Sequence, residues 1–67
     1  MLLRDLIQKT RDVNICIKKF NTEGLATKIY EGNSQFYRMS KLEEYMSVLY
    51  VTPHRYIPGE LFIMVTV

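Results

Sequence analysis

Catalysis needs convergent reactive groups, and this 67-residue chain offers few whose spacing could bring them together. His54 is the lone imidazole, set in Thr52-Pro53-His54-Arg55-Tyr56 after a proline, with no partner at a spacing that nucleophilic or acid–base catalysis uses. It reads as an exposed loop histidine. Cys16 is the lone cysteine, flanked by Ile15 and Ile17 with Lys18 nearby. A neighbouring cation lowers a thiol pKa, yet free cysteine is among the most buried residue types, so the expectation is a buried structural thiol. One cysteine forms no internal disulfide and cannot by itself make a cysteine-based zinc site. Glu43 and Glu44 are adjacent, so on a helix they diverge by about 100° and serve capping and solvation rather than one reaction centre. Asp5 and Asp12 are isolated, and no EF-hand, phosphate-cradling glycine loop or nucleophile elbow occurs. These observations predict a non-enzyme, with no cofactor and no metal.

Cations do interleave with aromatics: Lys18, Lys19, Phe20, Lys28 and Tyr30, then Phe36, Tyr37 and Arg38, then His54, Arg55 and Tyr56. Sheets that bind single-stranded nucleic acid stack bases on aromatics of an open face ringed by such cations. Nine Lys/Arg stand against seven Asp/Glu, however, and at net +2 the basic residues are scattered rather than massed. Tyr, Phe, Met and Arg are also enriched in protein interfaces, so protein binding leads. The expected anchors are Tyr30, Phe36, Tyr37, Tyr50, Tyr56 and Phe62, with Arg38 as a charge-assisted clamp. In the rival readings Lys18, Lys19, Lys28, Arg38 and Arg55 meet a single-stranded nucleic acid, or the phosphate of a nucleotide-like ligand held between subunits of a homo-oligomer.

The elements that must position these residues follow from periodicity. Leu2, Leu3, Leu6 and Ile7 make one apolar stripe and predict a short helix over residues 2–10. From Val13 the period becomes two, and Val13, Ile15 and Ile17 alternate with Asn14, Cys16 and Lys18 in a strand. Asn21-Thr22-Glu23-Gly24 turns the chain, and the run from Leu25 to Glu31 completes an antiparallel hairpin before Gly32-Asn33-Ser34. Phe20 is out of phase with Ile17, which predicts either a bulge near Lys18-Lys19 or an opposite-facing Phe20. Residues 35–39 show no period. Ser40-Lys41-Leu42-Glu43 fits a capping box, so a helix of one or two turns starts at Ser40 and a strand follows at about 47–52. Ile57-Pro58-Gly59-Glu60 predicts a type II turn, and Leu61, Ile63, Val65 and Val67 then alternate with Phe62, Met64 and Thr66 in a last strand apolar on both faces.

The expected fold is α+β: a single domain spanning residues 1–67, ordered α-β-β-α-β-β, with an antiparallel sheet of about four strands and two short helices on one face. A chain this short buries only about 60% of the surface it exposes unfolded, which excludes a large enclosed active site. The uncovered sheet face is expected to carry Ala26, Tyr30, Tyr50, Phe62 and Met64, more apolar surface than a monomer needs to show water. Charges at Arg4, Asp5 and Lys9 interrupt any signal-peptide core, and no window reaches a membrane span. With no disulfide framework, a cytoplasmic location is expected.

The opening LLRDLIQKT, the strand VNICIKKF, the segment ATKIYEGN, the short helix before VLYV and the closing ELFIMVTV are together similar to the layout of small phage- or prophage-encoded accessory proteins. That resemblance spans nearly the whole chain and carries no diagnostic motif. It implies a viral accessory protein in the host cytoplasm. Such a protein would bind a host or phage protein as an inhibitor, as anti-CRISPR proteins occupy a host nuclease surface. The positive net charge argues against mimicry of DNA.

Overall fold

Leu3 and Ile7 lie one helical turn apart with Leu6 beside them. In the computed structural model, which describes all 67 residues, this stripe forms the buried side of α1, Leu3–Lys9. Thr10 ends the helix by donating its hydroxyl to the Leu6 carbonyl at 2.8 Å and its N–H to the Ile7 carbonyl. Strands β1, Asn14–Phe20, and β2, Ala26–Asn33, form the first hairpin. Its turn is held by the Asn21 side chain, which accepts from the Glu23 and Leu25 N–H groups at 3.0 Å. A single 3-10 turn, Ser34–Phe36, and the short helix α2, Lys41–Glu44, lead to the second hairpin of β3, Ser47–Pro53, and β4, Glu60–Thr66. Both local signals read from sequence hold there. Ser40 and Glu43 form the reciprocal capping box, and the Glu60 N–H donates to the Ile57 carbonyl across a turn with Gly59 at φ 80°.

The sheet order is β2-β1-β4-β3, and the central pair β1–β4 is parallel, with Asn14 opposite Glu60 and Lys19 opposite Val65. The expected all-antiparallel sheet is therefore corrected to a mixed one. Each hairpin is antiparallel as read, but nothing within either hairpin dictates how the two dock. The strands richest in buried aliphatics take the centre: Ile15 and Ile17 of β1 face the same layer as Ile63 and Val65 of β4, all buried with Leu3, Ile7 and Met46.

The expectation of two covering helices also needs correction. No residue of α2 is buried, and Leu42 is exposed; α1 and Met46 cover the face instead, with Tyr37 and Met39 packed at its margin. No helix is long and apolar enough to cross a membrane.

A β-bulge decides which residues reach the uncovered face. Ile17 pairs with Tyr30 but Lys18 pairs with Lys28, so Ile29 is an extra residue in β2. The irregularity expected at Lys18-Lys19 thus sits across the ladder, and alternation along β1 puts Phe20 on the face opposite Ile17. The bulge also overturns the placement of Tyr30, which turns to the covered side and packs against the core beneath Tyr37, ring centroids 4.5 Å apart. Glu31 takes its place on the uncovered face, opposite Cys16.

Candidate functional site

Alternation and register gather one set of side chains on the uncovered face: Cys16 and Lys18 from β1, Lys28 and Glu31 from β2, Phe62 and Met64 from β4, and Tyr50 and Thr52 from β3. Phe62 lies at their centre. Its ring stacks with Tyr50 at 6.2 Å, meets His54 edge-on at 6.1 Å, and lies under the Lys18 ammonium at 5.9 Å. An open cleft of about 470 Å³ adjoins it, lined by Lys18, Thr52, His54, Arg55, Tyr56 and Phe62 among others.

The loop Pro53–Gly59 builds the cleft's far wall. His54 organises it, donating its backbone N–H to the Glu60 carbonyl at 2.7 Å while its Nδ1 accepts from the Tyr56 and Ile57 N–H groups. With Nδ1 used as an acceptor, the neutral ring carries its proton on Nε2. The loop histidine expected from sequence is thus a structural clamp, and it leaves Tyr56, 79% exposed, and Arg55 projecting beside the cleft.

Beneath this aromatic patch lies a polar cluster. The Cys16 sulfur and one carboxylate oxygen each from Glu31 and Glu60 lie within 4.8 Å of one another. Cys16 is 2% exposed and Glu60 5%, although no helix covers this face; neighbouring side chains bury them. Burial, then the two carboxylates, pushes the Cys16 thiol up. Burial, then Glu31, raises the Glu60 pKa, whereas Glu31 is lowered by its 2.7 Å bond from the Lys28 ammonium.

The anchors expected from sequence do not form one site. Tyr50, Tyr56 and Phe62 converge on the uncovered face, with Lys18 and Arg55 as its free cations. Lys28 reaches this face but is committed to Glu31. Phe36, 75% exposed, and Arg38, also exposed, lie in the connection from β2 to α2, whose Tyr37 and Met39 pack against the covered core. Tyr30 and Tyr37 belong to the core margin, and alternation turns Lys19 towards the covered side. Sequence reading missed the Cys16–Glu31–Glu60 cluster because its members come from three strands with no local spacing signal. The chain matches no family model, no curated protein and no solved structure.

Proposed function

We propose that this chain is a non-catalytic binding module that docks an extended, acidic and apolar segment of a partner protein on the uncovered face of its sheet. The observation that carries this reading is the Tyr50–Phe62 pair, held at the centre of that face and flanked by Lys18 and Arg55. Aromatic anchors ringed by cations suit apolar side chains followed by carboxylates. The layout resemblance to phage accessory proteins supports a host protein as the partner, with a defence nuclease as one such class.

Selection from a random peptide display library tests it. The expected result is a consensus with Asp or Glu flanking one or two large apolar residues, lost when Phe62→Ala replaces the wild type as bait. No enriched peptide, or the same consensus on the variant, overturns the proposal.

A second reading, single-stranded nucleic acid, is favoured by the Lys18 cation over Phe62 and by the exposed Tyr56 beside Arg55. Titration of a fluorescent oligonucleotide at several salt concentrations separates the two: affinity falling steeply with salt supports nucleic acid, and absent binding at low salt removes it.

A further inference from the structure

We propose that two copies of this chain join edge to edge along β3, antiparallel about a two-fold axis at Val51, in a weak and reversible dimer. The proposal goes beyond the docking reading above and does not depend on it.

The two edges of the sheet are unlike. β2 is guarded: Lys28 and Glu31 pair along it at 2.7 Å, and the extra residue at Ile29 interrupts its ladder. β3, the other edge, carries no charge and lies within residues 45–54, the longest uncharged run in the chain. On it Leu49, Tyr50 and Val51 are 51%, 49% and 41% exposed. An uncharged apolar edge with a row of open backbone groups is a template for another strand.

The open stretch is bounded at both ends. Upstream, Met1 accepts from the Val48 N–H and Leu3 donates to the Met46 carbonyl, so the N-terminal residues already occupy the edge as far as Val48. Downstream, Pro53 has no N–H, and the chain leaves the edge at His54, whose N–H turns back to the Glu60 carbonyl. What remains, residues 49–53, is centred on Val51. The His54–Glu60 bond also fixes which way each backbone group points. In the same register Thr52 faces Phe62 and Tyr50 faces Met64, and these alternate residues direct their N–H and C=O groups to β4. Val51, between them, directs both of its groups outward.

That geometry selects a second copy as the occupant. A residue with both backbone groups outward, at the centre of the open window, can exchange two hydrogen bonds with itself across a two-fold axis. The same register sets Tyr50 opposite Thr52 of the second copy and Leu49 opposite its Pro53, so no charge meets the seam. Five residues at about 3.4 Å each give about 17 Å of shared edge, short of a permanent interface, which makes the association weak. Joining extends the sheet to eight strands and sets both uncovered faces on one continuous surface.

Sedimentation equilibrium tests it on protein refolded at high dilution and then concentrated from about 5 µM to about 1 mM. The expected result is an average mass that rises from one chain towards two and falls again on dilution. A two-fold axis places residue 51 against itself, so Val51→Lys and Val51→Glu each set like charges face to face and should weaken association roughly tenfold. An equimolar mixture of the two variants should associate again, as a heterodimer. In the wild type, exchange of the Val51 amide should slow as concentration rises, and this readout decides the matter if either variant fails to fold. A wild type that stays monomeric at about 1 mM, a Val51 amide whose exchange ignores concentration, or a mixture of folded variants that stays monomeric overturns the proposal. So does a library peptide that protects the Val51 amide where the chain itself does not, which would make a foreign strand the occupant.

Discussion

Gly32→Ala should be among the most damaging single-methyl additions in this protein. Gly32 sits in β2 at φ 152°, a conformation that L side chains rarely adopt, directly opposite the buried Ile15. A β-carbon there would lie 2.9 Å from the Tyr30 hydroxyl oxygen and 3.3 Å from the adjacent ring carbon. Tyr30 cannot simply swing aside, because its hydroxyl donates to the Asn33 carbonyl at 2.7 Å and its ring packs against Tyr37. Backbone strain of about 1–3 kcal/mol and loss of a hydrogen bond worth about 0.5–1.5 kcal/mol together come to roughly 2–4 kcal/mol. A domain of this size holds about 3–10 kcal/mol in total, so Tm should drop by about 10–30 °C. Thermal unfolding followed by circular dichroism measures it. A cycle with Tyr30→Phe separates strain from collision: the double variant should be less destabilised than the sum of the singles, because removing the hydroxyl relieves the contact. Strict additivity, or a Tm within about 2 °C of wild type, would refute the reasoning.

The Tyr37 hydroxyl is buried and approaches the Glu43 carboxylate without reaching good hydrogen-bond geometry, and burial, then that carboxylate, pushes its pKa upward. Tyr37→Phe should therefore raise stability by about 1 kcal/mol, visible as a Tm gain of several degrees; a loss would mean that the hydroxyl is satisfied after all. Ser40→Ala removes half of the capping box and should cost about 0.5–2 kcal/mol, with faster amide exchange at Glu43 as its local signature. Glu60, whose folded pKa is raised, contributes stability that is present at low pH and lost as pH rises through that pKa. Glu60→Gln should then be more stable than wild type at pH 7, and the difference should shrink by pH 4; equal Tm differences at both pH values would contradict this. Glu31, lowered by Lys28, runs the opposite way, so Lys28→Ala should lower Tm at neutral pH, with the difference from wild type vanishing as pH falls through the folded Glu31 pKa.

How much was legible in the sequence divides along the range of the interactions. Pro58-Gly59 and Ser40–Glu43 act on backbone groups three residues away, so residue identity alone placed the turn and the helix start. The covered faces of β1 and β4 were legible because Ile15, Ile17, Ile63 and Val65 keep strict alternation. Tyr30 was not, since the extra residue at Ile29 exists only in the pairing of β2 with β1 and inverts the alternation beyond it. The parallel seam was hidden for the same reason: it joins residues whose sequence neighbours are all satisfied within their own hairpins. The aromatic half of the candidate site came through as composition. Its polar half did not, because Cys16, Glu31 and Glu60 are read separately as an inert thiol, a strand end and a turn residue.

The parallel seam also shapes how the chain reaches its native state. Either hairpin closes over a short loop, but bringing Asn14 beside Glu60 means closing most of the polypeptide at once, and loop-closure entropy makes that encounter the slow one. Until it happens each hairpin exposes an unzipped backbone edge, open to the matching half of another molecule. Refolding at high concentration should therefore yield exchanged dimers, two chains each lending a hairpin to the other, while refolding at high dilution should not.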